Sequence, residues 1–256
     1  MKHHLNYKVY GTGHPVVILH GMFGTLDNWH NMARRLEEAG YMAILIDQRD
    51  HGRSEHTNAF NYPILAEDLQ LFLEENWIYE GTIIGHSMGG KTCLQYMSDN
   101  NPDNFKFVII DIGIKKYEDG HTDIFDALMS VQLDKMDSRN QVESILMNRL
   151  NDKGVVQFLM KNLTRTKDGH FEWKVNLHLL YKNYDRILEA IPFRHTSDAK
   201  TLFIRGSKSN YILDDDWPSI HETIPNSELI TINGAGHWVH ADKPVELFNH
   251  IIDFIK

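Results

Sequence analysis

The sequence predicts an α/β fold: a doubly wound, mostly parallel sheet with one helical cap insertion. Three observations predict it. Short apolar, β-branched runs alternate with longer amphipathic stretches, the alternation stops at about residue 113, and strand signals return only at Thr201. Alternating strands and helices require crossovers that bring each strand back parallel and cover both sheet faces. Ligands of such sheets bind outside the carboxyl ends of the strands.

In chain order, the strand candidates are residues 5–10, 16–19, 43–47, 82–84, 107–111, 201–205 and 228–232. Each is a short run dominated by Val, Ile, Leu, Phe, Tyr or Thr. Helical patterns fill the intervals at 29–39, 64–77, 89–98, 214–224 and 245–255. In the last of these, Val245, Phe248, Ile252 and Ile255 recur at helical spacing. Between 113 and 195, Ile124, Leu128 and Val131, then Val155, Phe158, Leu159 and Leu163, carry the same periodicity, and Gly169 marks a turn. A structureless loop of that length is rare, so 113–195 reads as a helical cap. The core domain is then 1–112 with 196–256, and Phe125, Phe158, Trp173 and Tyr181 form the cap core, at least one facing the pocket.

Composition narrows the function. The 256 residues hold 26 Lys plus Arg against 35 Asp plus Glu, a net charge of −9, with 42% hydrophobic and 24% charged residues. That is an ordinary globular balance, and the acidic excess argues against a nucleic-acid partner. A single cysteine, Cys93, excludes an internal disulfide and reads as a small buried hydrophobe. No apolar run is long enough for a signal h-region or a membrane span, so the expected location is cytoplasmic. Sixteen histidines are present without His-Glu-x-x-His or Cys-rich spacing, so no metal and no organic cofactor is expected. His3, His4 and His240 read as surface residues.

The strongest motif is Gly85-His86-Ser87-Met88-Gly89-Gly90-Lys91-Thr92, which follows an apolar strand and opens a helix. Gly85-x-Ser87-x-Gly89 is a nucleophile elbow, whose tight turn demands residues without side chains on either side of the serine. The same segment satisfies the P-loop pattern, with Lys91 as the phosphate lysine and Asp111 as a magnesium ligand. Other segments decide between them. Gly234-Ala235-Gly236-His237-Trp238 holds a histidine between turn residues after the last strand, where a base could be aimed at Ser87. His20-Gly21-Met22-Phe23-Gly24 follows a buried strand and can offer the Met22 or Phe23 amide to an oxyanion, with Met88 supplying the second donor. Three segments favour the elbow and one the P-loop, so Lys91 is expected to be paired or solvated and to meet no nucleotide. His20 reads as packing for the oxyanion turn, and Asp47 and Arg49 as anchors of the loop after their strand.

These segments, with Asp47-Gln48-Arg49-Asp50-His51-Gly52-Arg53-Ser54 and His237-Trp238-Val239-His240-Ala241-Asp242-Lys243-Pro244, resemble the α/β-hydrolase superfamily over nearly the whole chain. Leu26-Asp27-Asn28, Asn61-Tyr62-Pro63 and Trp173-x-Val175-Asn176-Leu177 resemble the YbfF-type esterases within it. That resemblance implies hydrolysis of short and medium acyl esters or thioesters. The acid departs from the superfamily pattern, because Gly206-Ser207-Lys208-Ser209-Asn210-Tyr211 has no carboxylate in the usual slot. Asp111, at the carboxyl edge of its strand, takes that part, and the YbfF-type resemblance also implies it. Asp185 and Asp214 are the alternatives, although Asp214 also suits a helix start.

The expected chemistry is attack by Ser87 on an acyl ester or thioester, with His237 as base and Asp111 fixing its tautomer. Met22, Phe23 and Met88 would bind the oxyanion and substrate. The competing readings are a P-loop nucleotide hydrolase, a ligand receptor built on the same triad, and a cofactor-free haloperoxidase. Oligomeric state is not encoded in any motif.

Overall fold

The computed structural model describes residues 4–256, so His3 lies outside the described residues. The main sheet contains β1 (Tyr7–Tyr10), β2 (His14–Leu19), β3 (Tyr41–Ile46), β4 (Gly81–His86), β5 (Phe105–Ile110), β8 (Thr201–Gly206) and β9 (Ser227–Ile232). Their spatial order is β1-β3-β2-β4-β5-β8-β9. Every pairing is parallel except β1 with β3, which is antiparallel, Tyr7 lying opposite Ile46. The order reverses around β2 and β4, which places a switch point beside the end of β4.

Alternating residues of the inner strands feed two apolar layers. Val17, Leu19, Ile83, Phe107, Ile109 and Phe203 face α2 (Tyr62–Glu75) and α3 (Met88–Asn100). Val16, Ile18, Ile84, Val108, Ile110 and Ile204 face α1 (His30–Glu38) and α11 (Pro244–Ile255). The inner strands are therefore apolar on both sides, as a sheet sandwiched by helices requires, whereas the edge strand β1 is largely exposed. Helix α2 starts at Asn61, whose side chain accepts from the Ile64 N–H at 2.9 Å, with Pro63 in the first turn.

Between β5 and β8 the chain forms α4 (Thr122–Met129), α5 (Arg139–Leu150), α6 (Lys153–Leu159), α7 (Leu177–Lys182) and α8 (Tyr184–Leu188). It also forms a hairpin that helical periodicity does not anticipate, β6 (Leu163–Arg165) paired with β7 (Phe171–Trp173). Leu163 thus begins a strand where the spacing predicts a helix. Gly169 turns this hairpin with φ +87°. Phe125 is fully buried as expected, whereas Tyr181 is 45% exposed and only its ring edge meets Phe125. The helix predicted at 214–224 is a 3-10 turn, Asp214–Asp216, followed by α9 (Trp217–Thr223). After β9, the short α10 (Val239–Asp242) precedes α11.

Asparagine side chains are among the polar anchors that join the inserted segment to the core. Asn176 donates from Nδ2 to Asp50 Oδ1 at 2.9 Å and to the Thr57 carbonyl at 3.1 Å. Asn162 donates from Nδ2 to the Phe23 carbonyl at 2.5 Å. Arg49 does more than hold its own loop: it forms a fork with Asp68 on α2, at 2.5 and 2.6 Å. Asp47 accepts from the Leu26 and Arg53 amides at 2.7 and 2.9 Å, anchoring the loop as expected.

Candidate active site

Strand β4 passes into α3 through Ser87, whose φ of 51° and ψ of −117° are sparsely populated for a residue with a side chain. Strain of this kind needs tight surroundings. A Cβ on Gly85 would strike the Gly89 carbonyl, and one on Gly89 would strike the carbonyls of Leu19 and His20. The Ser87 N–H donates to the Ile110 carbonyl at 3.0 Å, and its carbonyl accepts from the Lys91 N–H at 3.0 Å. The serine is therefore held at the carboxyl end of the sheet by backbone alone.

Asp111 follows β5 directly, one residue beyond the strand's end, with φ 52° and no solvent exposure. Its N–H continues the ladder to the Ile204 carbonyl at 2.7 Å. His237 lies on the turn between β9 and α10, where the Gly236 N–H donates to Asp242 Oδ2 at 2.8 Å. His237 Nδ1 stands 2.8 Å from Asp111 Oδ2. A carboxylate only accepts, so Nδ1–H donates and the Nε2 lone pair is left free. The Gly206 N–H reaches Asp111 Oδ1 at 2.9 Å, and the Ser209 hydroxyl donates to Oδ2. Asp185 is exposed on α8, and Asp214 pairs with Arg205 at 2.5 Å, so neither meets His237.

The turn at Gly21–Gly24 closes with a Gly24 N–H bond to the Gly21 carbonyl at 2.9 Å, and Phe23 takes φ 59°. Beneath it, His20 Nδ1–H donates to the Gly21 carbonyl at 2.8 Å while Nε2 accepts the Gln48 N–H at 3.1 Å. Met22, Phe23, Ser87, His121 and His237 line one small cavity of about 40 Å³. A larger cavity of about 330 Å³ adjoins it, sharing Met22, Ser87 and His121 and adding Met88, Tyr62 and Ile187. On the other side a cavity of about 440 Å³ shares Trp29, Phe158 and Trp238 with the small one. Phe158 is an aromatic residue of the insertion that faces this space, tilted against Trp238 with centroids 5.2 Å apart.

Lys91 corrects one expectation. It is neither ion-paired nor solvated: its ammonium lies over the rings of Tyr62 and Tyr117, at 5.5 and 4.9 Å, and donates to the carbonyls of Leu188 and Glu189. It thereby caps the C-terminus of α8. Burial pushes it down to about 7. An amine so occupied is turned away from any phosphate held by the Gly85–Gly90 turn. Asp111, the other member of the P-loop reading, is engaged with His237.

His240 corrects another. Its ring stacks on Trp29, centroids 4.7 Å apart, and meets His86 edge-on, so it is packed and not superficial. His86 in turn donates from Nε2 to the His237 carbonyl at 2.9 Å. Burial lowers His240 to about 3 and His86 well below the ordinary histidine value. His121, contributed by the insertion, is lowered to about 4 by burial and bonds Tyr184 through Nδ1 at 3.0 Å. Among the described residues, no group of three or more His, Cys, Asp or Glu side chains converges as a metal site.

Sequence reasoning missed four residues here. Ser209 sits in the slot where a carboxylate was sought, and only its hydroxyl marked it. Tyr211, two residues on, covers the His237 ring. Asn162 and Asn176 belong to the insertion; Asn176 lies in the Trp173–Leu177 segment, while Asn162 carries no local signal.

The α/β hydrolase fold family matches residues 14–113. A putative esterase/lipase from Haemophilus influenzae is 37% identical over 244 residues, covering 94% of this chain and 83% of that protein. The chain belongs to the α/β-hydrolase family. Esterase YbfF from Escherichia coli is 37% identical over 233 residues, covering 90% of this chain and 88% of that protein. The sn-1-specific diacylglycerol lipase ABHD11 from Danio rerio is 32% identical over 263 residues, covering 98% and 82%. Among solved structures, a marine microorganism esterase matches this α/β hydrolase with a TM-score of 0.94 and 36% identity over 98% of both chains.

Proposed function

We propose that this α/β hydrolase is a serine esterase that cleaves carboxylic esters or thioesters of short to medium acyl chains through an acyl-enzyme. The observation that carries the reading is the convergence of three segments on one cavity: strained Ser87 from the elbow, His237 from the last turn, and buried Asp111 behind it. Ser87 attacks the acyl carbonyl while His237 Nε2 accepts its proton. Asp111 holds the imidazole with Nε2 toward the serine and stabilises the imidazolium. The main-chain N–H groups of Phe23 or Met22 and of Met88 bind the oxyanion. His237 then gives its proton to the leaving oxygen or sulfur, and water, activated by the same nitrogen, releases the acid.

The insertion at 113–195 acts as a cap in this reading. The 330 Å³ cavity lies in the size range of small-molecule sites, and Met22, Met88, Ile112, Ile187 and Leu188 give it apolar walls for an acyl chain. Its lining also includes tyrosines and Lys91, polar ground that favours short acyl groups over long ones. No helix among the described residues is long and apolar enough to cross a membrane. The test is a series of p-nitrophenyl esters from acetate to palmitate, run beside acyl-CoA thioesters. Highest kcat/KM is expected for the shorter chains. Single-turnover binding without release would favour a receptor, and halide-dependent oxidation without hydrolysis would favour a haloperoxidase.

A further inference from the structure

Phe23, on the turn that shares the small cavity with Ser87, is held from the inserted segment at two points. Its ring packs edge-on against Phe125 of α4, centroids 5.0 Å apart, and its carbonyl accepts from Asn162 Nδ2 at 2.5 Å. All three residues are buried. Phe23 has φ 59°, a left-handed backbone that a residue with a side chain keeps only under constraint. Asn162 is fixed in its turn. It ends the 3-10 turn Met160–Asn162 just before β6, and its carbonyl accepts the Lys174 N–H at 2.8 Å. Arg139 on α5 donates to the carbonyls of Met160 and Leu163 on either side of it, each at 2.7 Å. A carbonyl only accepts, so the Asn162 amide faces Phe23 with its N–H₂. Its Oδ1, also buried, meets no hydrogen-bond donor among the described residues, so the bond to Phe23 is what accounts for a polar side chain at this place.

We propose that Asn162 is a positioning residue through which the inserted segment holds the oxyanion turn in its working shape. The proposal rests on the serine-esterase reading above. Among the described residues, the Met22 and Phe23 N–H groups donate to no protein acceptor, so both are available to a substrate oxygen. The direction of the Phe23 N–H follows its backbone torsions. With its ring and carbonyl both held, and the Gly24 N–H engaged with the Gly21 carbonyl, relaxation of Phe23 to an ordinary φ breaks at least one of those contacts. Asn162 lines neither cavity beside Ser87, so it acts through the turn alone. Only the transition state, in which the acyl oxygen carries charge, reads the direction of that N–H at full strength. Asn176 supplies the comparison, because it also ties the insertion to the core but bonds Asp50 and Thr57 and not this turn.

The experiment measures kcat and KM on p-nitrophenyl acetate, and inhibition by an alkyl trifluoromethyl ketone, for wild type, Asn162→Ala, Asn162→Asp and Asn176→Ala. Wild type is also labelled at Ser87 by a fluorophosphonate. Ser87 Oγ adds to the ketone carbon, its proton passes to His237, and the ketone oxygen becomes an alkoxide seated where the oxyanion forms. Asn162→Asp keeps the shape of the side chain and removes the N–H donor. Both Asn162 variants are expected to lower kcat by about 10–100-fold with KM unchanged, and to weaken the ketone by the same factor. Asn176→Ala is expected to keep both near wild type, which separates the turn from a general loosening of the insertion. Asn162→Leu, close in size, replaces either Asn162 variant whose melting curve shows that it is not folded. Wild-type kcat in the Asn162 variants, a loss matched by Asn176→Ala, or a loss of kcat without weaker ketone inhibition overturns the proposal, while Ser87 labelling leaves the esterase reading standing. A wild-type protein that is neither labelled nor active removes both.

Discussion

Asp111 has no solvent exposure, yet each carboxylate oxygen is satisfied: Oδ1 by the Gly206 amide, Oδ2 by His237 and Ser209. An asparagine at that position keeps the shape but presents an N–H₂ where Nδ1–H needs an acceptor, so it selects the wrong imidazole tautomer. Asp111→Asn should therefore lower kcat by about 10⁴ with little change in KM. Asp185→Asn and Asp214→Asn, on the exposed face of α8 and in a surface ion pair, should stay near wild type. Ester hydrolysis by the three variants decides it, and an active Asp111→Asn beside an inactive partner would move the acid elsewhere. Among single residues, Ser87 and His237 were legible in the sequence because each is framed by the small residues its turn demands. Ser209, Tyr211 and the burial of His240 were not. Their roles arise from contacts with Asp111, His237 and Trp29, and local pattern carries no trace of a partner that distant in sequence.

At the scale of elements, apolar runs located all seven main strands: the central ones, buried on both faces, leave continuous Val, Ile, Leu and Phe, and the edge strands β1 and β9 still carry β-branched or aromatic residues although they are only partly buried. Strand direction is a different matter. Nothing in residues 5–10 marks β1 as antiparallel, because direction depends on the connection and not on side-chain polarity. The β6–β7 hairpin escaped for another reason: each strand has three residues, and Leu163 falls in phase with the helix before it. The connection between the loop after β3 and α2 is made by the Arg49–Asp68 fork, with side chains only 5% and 8% exposed. Removing one partner of such a pair strands a buried charge. Asp68→Ala is expected to cost about 3–5 kcal/mol of stability. Urea unfolding measures this, and a loss within the range of ordinary surface substitutions would show that the fork is dispensable.

At the scale of the whole molecule, the site sits in a shell of neutral histidines. Burial lowers His20 and His121 to about 4 and His51 and His240 to about 3, against an ordinary value of 6.5, and His86 falls well below it too. Between pH 6.5 and about 4 the unfolded chain binds protons that the folded chain refuses. Stability is therefore complete above pH 6.5 and declines as pH falls, each histidine contributing up to about 1.4 kcal/mol per pH unit. Thermal melts from pH 7.5 to 5 should show Tm falling steadily below 6.5. A flat Tm across that interval would mean that these rings accept protons in place.

The proposed chemistry stands on Ser87 as the residue that bonds to substrate, since the elbow, the cavity and the Asp111–His237 pair have their meaning only around it. Mass spectrometry of the protein quenched during turnover of a p-nitrophenyl ester tests this most directly. The predicted result is an acyl adduct on the peptide containing Ser87, absent from Ser87→Ala, whose kcat falls by about 10⁴–10⁶. Full activity in Ser87→Ala, or an adduct on another residue, would contradict it.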